Sequence, residues 1–118
     1  MATDPVISAH PLTVHTSNNE DDAAIVRCSG RLTGETSLLL KAEVKALLPV
    51  KRRVILDLSE LGYMDSAGLG ALVGLYISAK RAGCELQLVN LTPRIRELLG
   101  MSHLLSVFEA CGRLGTRF

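Results

Sequence analysis

Tyr63-Met64-Asp65-Ser66-Ala67-Gly68-Leu69-Gly70 is the stretch on which the reading of the chain turns. Before it runs Val54-Ile55-Leu56-Asp57-Leu58, a β-branched and aliphatic segment with the composition of a buried strand, closed by Ser59, Glu60 and Gly62. After it, Leu69, Leu72, Val73, Tyr76 and Ile77 recur at intervals of three and four, the spacing of one face of a helix that ends near Gly83. Strand, loop and helix therefore follow one another, with Asp65 and Ser66 at the helix N-terminus. Both are residue types that cap helices, and the free N–H groups of a first turn favour negative charge. A small hydroxyl held there is a natural place for a phosphate to be added or removed.

Working outward, Leu12-Thr13-Val14-His15 alternates as a short edge strand, residues 17–22 have turn composition, and Ala23–Cys28 completes a hairpin. Gly30 and Gly34 punctuate a turn into a helix over about Glu35–Leu48, with Leu38, Leu39, Ala42, Val44, Ala46 and Leu47 inward and Pro49 as its stop. A central strand, Arg53–Leu58, is apolar on both faces. Beyond the middle helix come a strand at Glu85–Asn90 and a helix opened by Thr92-Pro93, with Ile95, Leu98 and Leu99 inward and Gly100 as its stop. Leu104–Phe108 is expected as a last short strand. The sum is an α/β domain with a mixed, mostly parallel sheet, an N-terminal β-hairpin and helices packed on it. Residues 1–11 read as a leader and 12–118 as one domain.

Composition narrows the function classes. The 118 residues carry a net charge of +1, 47% hydrophobic and 3% aromatic residues, which suits one small globular module and offers few stacking platforms for nucleic acid. Lys51-Arg52-Arg53 is a short basic run beside a strand and reads as a solvated loop, so no direct nucleic-acid contact is expected. Cys28, Cys84 and Cys111 have no metal or disulfide spacing; the first two fall in apolar strands as small hydrophobes. The N-terminus lacks a secretory pattern, and Ala67–Ala79 is shorter than the about 20 apolar residues that span a bilayer. A cytoplasmic monomer without membrane insertion is expected.

Enzyme readings find little support. Gly68-Leu69-Gly70-Ala71-Leu72-Val73-Gly74 lies inside the helix with the wrong spacing for a dinucleotide loop and no Lys-Ser/Thr of a P-loop. Met64 stands where a nucleophile elbow needs glycine, and His10, His15 and His103 have no triad context. No catalytic residue, metal ligand or cofactor is expected.

Asp57-Leu58-Ser59-Glu60-Leu61-Gly62-Tyr63-Met64-Asp65-Ser66-Ala67-Gly68-Leu69-Gly70 closely resembles the signature of the STAS family, in particular its bacterial anti-sigma-factor antagonists, and the resemblance extends through Leu91–Ser102. It implies that Ser66 is phosphorylated by a partner that is both an ATP-dependent serine kinase of histidine-kinase-like fold and the anti-sigma factor. It further implies that a PP2C-type phosphatase reverses the reaction. By the same resemblance Arg31, Thr33, Asp65, Ser66, Ala67, Gly68 and Leu69 form the partner surface. Arg31 and Thr33 stand where antagonists of the best-known type carry acidic residues, and Ala67 replaces a second hydroxyl residue. Two other readings remain open: a STAS scaffold or subunit of a stress-signalling or lipid-transport complex without a phosphorylation cycle, and a small-ligand or nucleotide-sensing domain.

Overall fold

The computed structural model describes residues 12–19 and 22–101. In chain order these form β1 (Leu12–Asn19), β2 (Ala23–Leu32), α1 (Ser37–Leu47), β3 (Arg53–Met64), α2 (Ser66–Ala82), β4 (Glu85–Val89) and α3 (Pro93–Met101). The sheet has the order β1-β2-β3-β4, antiparallel between β1 and β2 and parallel thereafter. This is the expected mixed, mostly parallel α/β architecture. The expected strand at Leu104–Phe108 lies outside the described residues.

Register explains which face is buried. Asn18, Ala24, Val54 and Leu86 lie in one row across the sheet, and Thr16, Val26, Leu56 and Leu88 in another. From these rows Val26, Val54, Leu56, Leu86 and Leu88 join the core, which takes Leu40, Val44 and Leu48 from α1 or its end, Leu72, Leu75, Tyr76 and Ala79 from α2, and Ile95 and Leu99 from α3. Each large aliphatic side chain so buried contributes about 1.5–3 kcal/mol. The alternate positions hold cross-strand polar pairs between register partners: Arg27 with Asp57 at 3.5 Å, Arg53 with Glu85 at 3.4 Å, and Ser29 donating to Glu60 at 2.7 Å. The central strand is thus not apolar on both faces; Asp57 carries a polar network on the second.

Strand ends depart most from expectation. β1 continues to Asn19, β2 continues through the expected turn to Leu32, and β3 continues through Ser59, Glu60 and Gly62 to Met64. The two extensions pair with each other, Gly30 with Leu61, Arg31 with Tyr63 and Leu32 with Met64, after two register shifts in which β3 takes an extra residue. Gly30 sits at the second shift with φ 108°, a conformation that favours glycine at a bulge. Residues that break an isolated strand are carried here by a neighbour with which they pair.

Helix faces also rotate from the expected ones. Along α1, Leu40, Val44 and Leu48 are buried, whereas Leu38 and Leu39 are 68% and 47% exposed and Ala42 and Ala46 face solvent. The helix starts at Ser37 rather than Glu35, because Thr33 to Thr36 form a hydrogen-bonded turn: Thr36 Oγ1 accepts from the Thr33 N–H at 2.8 Å and donates to the Arg31 carbonyl at 2.8 Å. On α2, Gly68, Leu72, Leu75, Tyr76 and Ala79 face inward, Leu69 and Val73 are half-buried, and Ile77 is exposed. Thr92 caps α3 as expected, accepting from the Ile95 N–H at 3.2 Å, but the helix passes through Gly100 to Met101.

Candidate functional site

The site forms where the extended ends of β2 and β3 meet the first turn of α2. Asp65 is the N-cap: its backbone is extended, and its Oδ1 accepts from the Gly68 N–H at 2.8 Å. Its own N–H donates to the Leu32 carbonyl at 3.2 Å, tying the cap to the end of β2. Ser66 is then the first residue of the helix and is exposed. Capping falls to Asp65 alone, so the Ser66 hydroxyl has no structural task at the helix end. It stands beside the unpaired N–H groups of a 17-residue helix.

Gly68 explains how the helix comes so close. A Cβ there would lie 2.2 Å from the Leu32 carbonyl oxygen and 2.8 Å from its carbon, so no other residue permits this approach. Gly70 and Gly74 have nothing within 4 Å of a Cβ, and close packing accounts only for the first of the helix glycines. Ala67 faces the loop before α1, where a Cβ at Gly34 would fall 3.3 Å from the Ala67 Cβ. That loop leads into the first turn of α1, where Leu38 and Leu39 are exposed.

Tyr63, Met64, Asp65, Ser66 and Leu69, with Arg94 and Leu98 of α3, line an open groove of about 540 Å³. Met64 is buried and Leu69 and Leu98 are partly buried, which makes its floor apolar. Two cations stand over Tyr63: the Arg31 guanidinium 4.9 Å from the ring centroid and that of Arg94 at 6.0 Å. The pairing of Arg31 with Tyr63 follows directly from the bulged register.

Of the residues expected to form a partner surface, Arg31, Asp65, Ser66, Ala67, Gly68 and Leu69 are brought together at this end of the sheet. Thr33 is half-buried, and its hydroxyl lies 3.3 Å from that of Thr36, within the turn before α1. Sequence reasoning placed Tyr63 and Met64 in the motif and Leu98 on the inner face of its helix, but counted neither these three nor Arg94 in the partner surface. Arg94 carried a signal: a cation in the first turn of a helix opposes the helix dipole, and α3 has no acidic residue there to offset it.

The polar network behind the site is anchored by Asp57, whose Oδ1 accepts from the Ser59 N–H at 3.0 Å and the Asn90 amide at 3.3 Å. Burial on its own would raise this carboxyl, but those hydrogen bonds and the Arg27 guanidinium outweigh it and hold it below the usual carboxylate range. Cys28 is enclosed in the core, and burial, helped by the Asp57 charge, pushes its thiol up to about 12. Among the described residues no three His, Cys, Asp or Glu side chains converge as metal ligands, and no helix is long and apolar enough to cross a membrane.

Comparison with known proteins agrees with this fold. Residues 14–116 match the family model described as STAS domain. The chain is 32% identical over 85 residues to the anti-sigma F factor antagonist of Paenibacillus polymyxa, covering 70% of this chain and 73% of that protein. It is 28% identical over 98 residues to the anti-sigma-B factor antagonist of Bacillus subtilis, covering 83% and 89%. Among solved structures, an anti-sigma factor antagonist from Mycobacterium paratuberculosis superposes with a TM-score of 0.76 at 19% identity over 91% of this chain and 87% of that one, a likeness of fold.

Proposed function

Because the chain belongs to the STAS domain family, we propose that it is an anti-sigma factor antagonist whose partner binding is switched by phosphorylation of Ser66. The observation that carries this reading is the division of labour at α2: Asp65 caps the helix, and Ser66 presents an exposed hydroxyl that the described residues do not use. The protein is then a non-catalytic, cytoplasmic binding module. Unphosphorylated, it engages a serine kinase that is also an anti-sigma factor, through the first turn of α2, Arg31 and the groove beside them.

Phosphorylation uses the kinase's ATP and metal. The Ser66 Oγ attacks the γ-phosphorus, the new O–P bond forms as the bond to the β-phosphate oxygen breaks, ADP leaves, and the hydroxyl proton passes to a base of the kinase. A metal-dependent phosphatase of the PP2C kind reverses the modification with water, releasing inorganic phosphate.

Magnitudes favour disruption of the interface over refolding. The phosphate adds about 1.5–2 negative charges. The helix N-terminus welcomes an anion by about 0.3–1 kcal/mol, so the fold has no reason to open. Against a partner surface the same charge meets the Asp65 carboxylate and loses its water, at a cost of several kcal/mol. Only about 2.7 kcal/mol is needed to weaken a complex a hundredfold.

The test is intact-mass spectrometry of the protein incubated with ATP, Mg²⁺ and each candidate serine kinase from its own genome. One added phosphate is expected, absent in Ser66→Ala, and Ser66→Asp is expected to abolish a complex that Ser66→Ala retains. A complex that forms equally with the wild type and both variants, and no phosphate with any kinase, would refute the switch and leave a constitutive scaffold.

A further inference from the structure

Arg31 and Arg94 stand apart from the other arginines that line the sheet. Arg27 and Arg53 have carboxylate partners in Asp57 and Glu85. Arg31 and Arg94, among the described residues, have none; both instead lie over the ring of Tyr63, at 4.9 and 6.0 Å. The Asp65 carboxylate lines the same groove and through Oδ1 accepts from the Gly68 N–H. Arg94 sits in the first turn of α3, where the helix dipole disfavours a cation and which holds no acidic residue. Two exposed guanidinium groups are therefore gathered at one aromatic ring beside an apolar groove, with Asp65 the single carboxylate among the described residues that line it.

Resting on the reading of the chain as an antagonist, we propose that the kinase segment docking at this groove is acidic and apolar. A carboxylate of that segment pairs with Arg31 and Arg94, and an adjacent aliphatic side chain enters between Met64, Leu69 and Leu98. Charge complementarity decides the occupant. Guanidinium groups recognise carboxylates through paired N–H donors, and the contacts with the Tyr63 ring favour positions of both forks beside the groove. The apolar floor calls for a side chain that gains by leaving water, which a free anion does not supply.

The same arrangement gives phosphorylation a specific target. Ser66 and Arg94 line one groove. A phosphate on Ser66 would compete there with the partner's carboxylate for the guanidinium and repel it as well. Release would then come from losing an ion pair together with gaining a repulsion. Arg31, exposed beside the groove, would help set which kinase this chain accepts.

Affinity of the kinase that phosphorylates Ser66 is measured by isothermal titration for the wild type, Arg31→Gln, Arg94→Gln, the double variant and the two Lys variants. Each Gln substitution is expected to weaken binding about tenfold and the pair about a hundredfold, with the Lys variants retaining most of the affinity and added salt mimicking the loss. Thermal melts check that each variant is folded. A kinase Glu→Arg variant that binds Arg31→Glu better than wild type would support the ion pair directly. If the kinase binds wild type and the folded double Gln variant equally well, the acidic segment is refuted while the antagonist reading stands. If no kinase binds the wild type, the antagonist reading itself fails, and this inference with it.

Discussion

Replacing Gly68 with alanine is the sharpest test of how the site is built. The new Cβ would lie 2.2 Å from the Leu32 carbonyl oxygen, about 1.2 Å short of the 3.4 Å at which ordinary contact begins, and the obstacle is backbone rather than a side chain that can swing away. Either the first turn of α2 or the end of β2 must move. Overpacking of this kind costs about 1–3 kcal/mol and sometimes more. Moving the turn also strains the Asp65 cap, worth about 1 kcal/mol. Alanine returns about 1 kcal/mol through its higher helix propensity, leaving a net loss of about 1–3 kcal/mol. Gly70→Ala is the control, since nothing lies within 4 Å of its Cβ and the position is exposed; it should gain about 0.5–1 kcal/mol. Urea denaturation followed by circular dichroism reads both. A Gly68→Ala protein as stable as wild type, or a Gly70→Ala protein destabilised as much as Gly68→Ala, would refute the close approach of α2 to Leu32.

Asp57→Ala leaves the Ser59 N–H and the Asn90 amide without their acceptor and should cost about 1–3 kcal/mol, read by the same urea titration. The depressed native pKa of Asp57 makes its contribution fully present above the unfolded value of 3.8 and lost as pH falls through the lower native value. The Asp57→Asn protein should therefore lose less stability than wild type between about pH 5 and pH 2, and an equal loss would count against the network. With its thiol pushed up to about 12, Cys28 should resist alkylation at about pH 8 in the folded protein and react in urea, as read by peptide mass mapping. Rapid native labelling of the Cys28 peptide would contradict its burial.

Element order was legible because it follows from periodicity. The aliphatic run at 54–58, the three-and-four spacing after Leu69 and the Thr92-Pro93 helix start each determine a local structure without knowledge of the neighbours. The strand extensions were not legible, for a physical reason. Gly30-Arg31-Leu32 and Ser59–Met64 are individually poor strand segments, and their pairing is a non-local fact of two bulges. Helix faces failed for a related reason. Leu38 and Leu39 fit an inward stripe as well as Leu40 does, and only the Thr33–Thr36 turn, which sets where α1 begins, decides which of them is buried. At the site, Asp65, Ser66 and Gly68 lie within one contiguous motif and could be read. Tyr63 and Arg94 are 31 residues apart and meet only in the fold.

These features separate stability from switching. Asp65 fixes the start of α2, Gly68 docks it on β2, and the Asp57 network supports the strand behind it, so the residues that hold the site are distinct from the one that changes. Ser66 contributes neither cap nor core, and a substitution there has nothing structural to remove. Ser66→Ala and Ser66→Asp should accordingly unfold within about 0.5 kcal/mol of wild type, the range of ordinary surface changes. An antagonist cycle requires this, since a protein that unfolded whenever it was phosphorylated could not be returned to its partner by a phosphatase. If either variant were destabilised by more than about 1 kcal/mol, Ser66 would have a structural task after all, and loss of partner binding in Ser66→Asp could no longer be assigned to charge at the interface.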